Sequence, residues 1–392
     1  MTANGVEAAE TWHQAPRRWG HPLHSVCSYM AMFPPSIPHT FIEWLTKPGD
    51  VVYDPFSGRG TTALEACLAG RIGYGSDLNP IACLLTSAKT NPPTWESIEC
   101  RLKELETDIE RLPVDGQAEV IRTIFAPGTL GELLWLREHL DVTEPTDAFL
   151  MSLLLGILHL NANTAGVPRG MSVSMPNTFA MAPGYVMRYV RDHDLQAPEV
   201  DVVGAIRDRA TKYRQELTLP QTGRSWSQDA SIAGWMEENN QRAKLIFSSP
   251  PYLHVIKYGK FNWIRLWMLG HEPADVDANL LATASLPKYL DFMSLVVSRL
   301  ADVLTEDGRI CLVIGDVSSG DDNLRLAEHV AASCVPAHLK VDGIVVDDLS
   351  VGRKVSRIWG STKGKATKTD RILVLSRQGG PKLPTVPNVD WA

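Results

Sequence analysis

The stretch "GDVVYDPFSGRGTTALEACLAGRIGYGSDLNPIACLLTSAKT", residues 49–90, decides the fold. It opens with "GDVVYDPF" (49–56), a short apolar run stopped by Pro55, which reads as a buried strand. "TTALEACLAG" (61–70) follows as a helix, with Gly70 as its C-terminal stop. "RIGYGSDL" (71–78) is a second strand, and "PIACLLTSAKT" (80–90) a second helix with Pro80 in its first turn. Strand, helix, strand and helix joined by short links predict a parallel sheet covered by helices.

Beyond residue 90 the alternation stops. From "NPPTW" (91–95) to about Gly223 the pattern is helical or irregular. It holds a charged amphipathic piece at 96–111, an apolar helix around 147–160 and a basic helix at 205–217, with a loop rich in Asn, Gly, Pro and Met at 161–184. Alternation then resumes, with strands at 244–248, 308–317, 339–349 and 370–377 and helices at 261–269 and 286–304. No internal repeat is present. The simplest organisation is a discontinuous α/β domain, 19–90 and 223–377, interrupted by a mainly helical inserted domain, 91–222, with flexible termini at 1–18 and 378–392.

The 392 residues are 44% hydrophobic and 21% charged, which is ordinary for a soluble globular protein. A net charge of −7 excludes a generally basic nucleic-acid coat, so a polyanion must meet a local basic patch. The cysteines Cys27, Cys67, Cys83, Cys100, Cys311 and Cys334 form no CxxC pair and fall inside apolar or helical patterns. They read as reduced, buried thiols of a cytoplasmic protein, with no disulfide frame and no metal site. The N-terminus lacks the charged-then-apolar pattern of a secretory signal. The longest apolar run, "AFLMSLLLGILHL" (148–160), is too short to cross a bilayer and carries Ser152 and His159. A buried core helix is expected there, with His159 a satisfied core histidine.

Three places carry chemistry. In "DPFSGRGTT" (54–62), Gly58 and Gly60 let the backbone approach a ligand, and the helix that follows can offer free N–H groups. The spacing is neither GxGxxG nor GxxxxGK[ST], and a mere tight strand-to-helix turn fits equally. Asp77, at the end of the second strand, can accept hydrogen bonds from ribose hydroxyls, or can cap the helix behind it. In "SSPPY" (248–252), two prolines stiffen the backbone and hold its carbonyls outward. Ser249 adds a hydroxyl acceptor, and Tyr252 a flat face for a planar ring. That set can receive the exocyclic NH2 of a nucleobase; the plainer reading is a Pro-rich loop with a packed tyrosine.

In this order the three resemble the SAM-dependent amino-methyltransferases of DNA, over roughly 19–90 and 223–377. "DPFSGRGTT" is similar to the family's DPF-x-G-x-GTT cofactor loop, which implies Asp54, Pro55, Phe56, Gly58, Gly60, Thr61 and Thr62 as cofactor-binding. "HPLHSVCSYMAMFPP" (21–35) resembles the segment that closes over the methionine part of S-adenosylmethionine, with Phe33 as the contact. "GSDLNP" (75–80) resembles the ribose-binding element, implying Asp77 and Asn79. "SQDAS" (227–231) resembles the Gly-Asp-Ala element near the adenine and implies Asp229, although Gln228 stands where the family has Gly. "SSPPY" resembles the catalytic (D/N/S)PP(Y/F) motif, implying Ser249, Pro250, Pro251 and Tyr252. The fold implied is a Rossmann-like methyltransferase sheet, mostly parallel with a C-terminal antiparallel hairpin, carrying a helical insert for target recognition.

The same resemblance implies S-adenosylmethionine as cofactor, no metal, and double-stranded DNA as partner, in a bacterial or archaeal cytoplasm, with a cognate restriction enzyme as a further partner it allows. Ser249 Oγ and the Pro250 carbonyl would accept the hydrogens of a base amine, and Tyr252 would stack on a base flipped out of the duplex. No Pro-Cys pair for C5 chemistry occurs. Serine at the first motif position goes in the family mostly with cytosine N4. Adenine N6 is the alternative, followed by an RNA amine and by a non-catalytic SAM-binding regulator. DNA contact is expected from "GRKVSRIWGSTKGKATKTDRILVLSR" (352–377), which holds eight Lys/Arg against one Asp, through Arg353, Lys354, Arg357, Lys363 and Lys365. In the insert Arg169, Arg188 and Arg191, with Asn163 and Asn177, are candidate base or phosphate contacts, or ordinary loop polarity.

Overall fold

Val51–Asp54 forms the first strand, β1, and Ile72–Asp77 the second, β2, paired in parallel with Tyr53 opposite Tyr74. The computed structural model describes residues 11–16, 18–30, 33–160, 170–175, 181–251, 253, 257–280, 283–319, 322–348, 366–387, 389 and 391. Helices Thr61–Leu68 and Pro80–Thr90 follow the two strands, as the opening stretch predicts. The remaining strands are β3 (Arg224–Ser227), β4 (Ala243–Ser248), β5 (Leu304–Ser319), β6 (Asp322–Leu324), β7 (Leu339–Asp348) and β8 (Ala366–Arg377). They lie in the order β3-β2-β1-β4-β5-β8-β7, with β6 paired to β5. The pairs from β3 to β5 are parallel, whereas β8 runs antiparallel to both β5 and β7. This is the mostly parallel sheet with a C-terminal antiparallel hairpin that the resemblance implies.

Both faces of the sheet are covered, so its central strands are apolar on both sides. Val52, Leu245, Phe247, Cys311 and Val313 face the helix Ser36–Leu45, through Ile37 and Phe41. Tyr53, Ile246, Ile310 and Leu312 face the helices Leu286–Asp302 and Leu326–Ser333. Each fully buried aliphatic side chain here contributes about 1.5–3 kcal/mol of transfer free energy.

The segment between the two halves is helical, with helices at Trp95–Asp108, Glu119–Ile124, Pro127–His139, Pro145–Ile157, Pro183–Asp192 and Val202–Thr211. Its apolar side chains form one core with Ile81, Leu85 and Ala88 of the helix Pro80–Thr90, and with Ile264 and Leu266 further on. The apolar run at 148–160 lies inside this core. His159 is 3% exposed, and its Nδ1 stands 2.8 Å from Ser172 Oγ.

Three expectations differ from what is found. β3, "RSWS", reads as no strand because it is a short, polar edge whose only apolar residue is Trp226. The helix Ser36–Leu45 hides behind Pro34, Pro35 and Pro38, which it accommodates at and before its first turn, where N–H groups need no partner. All six cysteines are free, but Cys100 is exposed and Cys83 half-buried rather than buried. No helix among the described residues is long and apolar enough to cross a membrane. No group of metal-ligating side chains is found among the described residues.

Candidate active site

β1 and β4 are parallel neighbours at the point where the strand order reverses, so their carboxyl ends open one crevice. Two loops leave there: 55–60 after β1 and 249–251 after β4. They are tied directly, since Ser248 Oγ donates to Asp54 Oδ1 at 2.5 Å. Asp54 is 1% exposed, and burial raises its pKa to about 6 against the pull of that bond.

The turn after β1 needs its glycines. Gly58 has φ +51° and Gly60 φ +76°, where a side chain is strained, and a Cβ on Gly60 would stand 2.8 Å from Thr86 Cα. The Gly58 N–H donates to Asp77 Oδ2 at 3.0 Å, while the Asn79 N–H donates to Asp77 Oδ1 at 2.9 Å. Burial nevertheless pushes Asp77 up to about 6, because desolvation of the carboxylate outweighs the amide bonds. Asp77 is not the helix cap. Asn79 fills that role, its Oδ1 accepting from the Ile81 N–H at 3.1 Å. Asn79 Nδ2 donates in turn to the Tyr29 hydroxyl at 2.9 Å.

These elements enclose a cavity of about 370 Å³. Phe33 enters from the N-terminal segment; Asp54, Pro55, Phe56, Gly58 and Thr61 line it from the first loop. Asp77 and Asn79 come from the end of β2, Asp229 from beyond β3, and Ser249, Pro250 and Pro251 from beyond β4. Gly60 and Thr62 stand behind the wall, both buried. Tyr252 lies outside the described residues.

Ser249 Oγ donates its proton to the Val313 carbonyl on β5 at 3.1 Å, which leaves the oxygen's lone pairs as acceptors. Asp229 Oδ1 accepts from the Ser231 amide at 2.8 Å and its hydroxyl at 2.7 Å. Gln228, the departure from the family's Gly, accepts through Oε1 from Trp226 Nε1 at 2.6 Å and from the Trp235 amide at 3.2 Å. Its side chain is thereby tied to two tryptophans, and Asp229 keeps its place in the wall.

The sequence reading did not single out several wall residues. Tyr29 stacks on Tyr258 with ring centroids 6.1 Å apart, and Phe292 leans on Phe56 at 6.2 Å. Arg59 also lines the cavity. Arg59 and Tyr29 had a signal, their places inside the glycine turn and the 21–35 segment; Tyr258 and Phe292 arrive from segments with no motif.

Of the proposed DNA contacts, Arg188 and Arg191 lie exposed on the helix Pro183–Asp192, Arg191 beside Asp192 at 3.4 Å. Arg169, Arg353, Lys354, Arg357, Lys363 and Lys365, with Asn163 and Asn177, lie outside the described residues. Two further cations of the basic segment serve the fold. Arg371 Nε donates to Asp316 at 2.9 and 3.1 Å, and Arg377 Nη2 to the carbonyls of Ala301 and Leu304 at 2.7 and 2.9 Å.

Comparison with known proteins finds partial matches. A DNA methylase family model of the N6/N4 methyltransferase type matches residues 2–87. The type II methyltransferase M.MvaI of Kocuria varians is 33% identical over 94 residues, 23% of this chain and 21% of that protein. The type II methyltransferase M.MjaII of Methanocaldococcus jannaschii is 31% identical over 67 residues, 17% of this chain and 13% of that protein. The chain thus matches about a fifth of the first relative's length and less of the second. Among solved structures, TrmN from Thermus thermophilus aligns over 91% of this chain and 52% of its own, at 11% identity and a TM-score of 0.36.

Proposed function

We propose that the chain, whose residues 2–87 match a DNA methylase family model, methylates the exocyclic N4 amine of cytosine in DNA, with S-adenosylmethionine as donor. One observation carries the reading. Ser249, with its proton engaged by Val313, lines the same cavity as Asp77 and Asp229. On this reading an amine acceptor and a nucleoside-binding set share one crevice.

The cavity suits the cofactor by its chemistry. Gly58 lets the backbone approach closely, the Asp77 carboxylate can accept from ribose hydroxyls, and Asp229 can accept from an adenine amine. Phe33 and Phe56 supply apolar wall, and the prolines at 55, 250 and 251 keep it rigid. When bound, S-adenosylmethionine supplies an electrophilic methyl group on a sulfonium.

The residues of the chain have to prepare the amine. Its lone pair is delocalised into the base ring, so the nitrogen is a poor nucleophile. Ser249 Oγ and the Pro250 carbonyl accept its two hydrogens, which turns the lone pair out of the ring plane and holds it in line for transfer. Tyr252 is assigned the stacking face for the flipped base from its motif position alone. Phe33, Asp54, Pro55, Gly58, Gly60, Thr61, Thr62 and Asn79 are assigned to binding and shaping the cofactor side. Arg188 and Arg191, with the basic residues at 353–365, are assigned to phosphates. Base specificity rests on Ser249, a neutral acceptor at the first motif position. Transfer of labelled methyl from S-adenosylmethionine to unmethylated DNA tests the reading; a chain that labels no DNA does not have this function.

A further inference from the structure

Arg59 is the one cation among the described residues that line the cavity, whose wall also holds the carboxylates of Asp54, Asp77 and Asp229. It occupies the variable position between Gly58 and Gly60, outside the motif positions that carry the family resemblance. Two of its donors are fixed: Nε donates to Thr61 Oγ1 and Nη1 to the His24 carbonyl, each at 3.2 Å. Both acceptors are neutral, so the guanidinium is held in place without an ion pair to a carboxylate among the described residues.

The surroundings increase its demand for an anion. Burial lowers the Arg59 pKa to about 10, because the cation has lost much of its water. Lys89, fully buried, donates from Nζ to the Arg59 backbone carbonyl at 2.6 Å and brings a second amine behind the loop. An oriented, partly desolvated guanidinium with donors to spare matches the geometry of a carboxylate.

Resting on the function proposed above, we infer that Arg59 receives the α-carboxylate of the cofactor's amino-acid part and selects ligands that carry it. The charges are complementary. S-adenosylmethionine bears a sulfonium, an ammonium and a carboxylate, and the wall offers acidic groups for the cations and Arg59 for the anion. A DNA phosphate is the rival anion. The cofactor is favoured because Arg59 is half-buried within the glycine turn and anchored to His24 of the N-terminal segment.

Calorimetric titration of the full chain with two probes tests this. S-adenosylhomocysteine keeps the carboxylate, whereas 5′-methylthioadenosine keeps the nucleoside and lacks the amino-acid part. Arg59→Gln lowers affinity for S-adenosylhomocysteine by about 10- to 100-fold and leaves methylthioadenosine within about 2-fold. Arg59→Lys, which keeps the charge and loses the fork, recovers part of the difference. Equal weakening of both ligands means that Arg59 only shapes the loop, and overturns the inference. Unchanged S-adenosylhomocysteine affinity with a raised KM for DNA overturns it too, by moving the anion to a phosphate. A wild-type chain that binds neither probe removes the cofactor reading itself, an outcome distinct from those two.

Discussion

Ser248 donates its hydroxyl proton to the Asp54 carboxylate at 2.5 Å, while its neighbour Ser249 donates to the Val313 carbonyl at 3.1 Å. Adjacent serines thus do different work. One joins the ends of β1 and β4, and the other lines the cavity.

The first prediction separates them. Ser249→Ala lowers the transfer rate by about 100-fold or more, since an acceptor aimed at the amine is lost. Cofactor affinity and thermal midpoint stay near wild type, because one half-exposed hydrogen bond is worth about 1 kcal/mol. Single-turnover transfer measured beside calorimetric cofactor binding checks the pair. Full activity in this variant removes the role given to Ser249.

Ser248→Ala behaves oppositely. It leaves a buried carboxylate short of a donor, which costs about 1–3 kcal/mol of folding stability. It also pushes the Asp54 pKa above its present value of about 6. Urea denaturation at neutral pH reads the loss, and an unshifted midpoint contradicts the tie.

Asp77 gives a pH prediction with a definite sign. Its pKa is raised from 3.8 to about 6, so it takes up a proton more readily folded than unfolded. The stability this brings is fully present below about pH 3.8 and is lost as pH rises through 6. Cofactor binding needs the ionised form and runs the other way, weakening as pH falls through about 6. Asp77→Asn flattens this pH dependence and lowers affinity by about 10-fold, the scale of one charge-assisted hydrogen bond. It also raises the thermal midpoint of the ligand-free protein at pH 8 by about 2–4 °C. A variant as pH-dependent as the wild type assigns the titration to another group.

Gly60→Ala tests the turn itself. A side chain at φ +76°, with its Cβ 2.8 Å from Thr86 Cα, costs about 2–5 kcal/mol through backbone strain and overpacking. Chemical denaturation reads the loss, and a stability within about 0.5 kcal/mol of wild type shows that the turn relaxes freely.

How much of this was legible follows from range. The β1-helix-β2-helix unit declares itself because Pro55, Gly70 and Pro80 punctuate apolar runs of the right length. The glycine turn, Asp77 and SSPPY are likewise local signals, and the structure brings Gly58, Asp77, Ser249, Pro250 and Pro251 to one crevice. Whether Asp77 meets a ribose or caps a helix was open in the sequence; the bond from the Ile81 amide to Asn79 Oδ1 gives the cap to Asn79. The Ser248–Asp54 bond spans 194 positions and has no local trace. The same holds for Tyr29 reaching Asn79, 50 positions away. The strand β3 stayed hidden because a polar edge strand lacks the alternation that marks a strand. In the basic segment, charge alone could not show that Arg371 and Arg377 bond within the fold.

The most direct test of the central claim is the identity of the methylated nucleoside. The purified chain is incubated with isotope-labelled S-adenosylmethionine and unmethylated double-stranded DNA, and the digested nucleosides are separated by mass spectrometry. The account predicts label in N4-methylcytosine. Label in N6-methyladenine contradicts the base assigned through Ser249, and label in no nucleoside contradicts the enzyme reading as a whole.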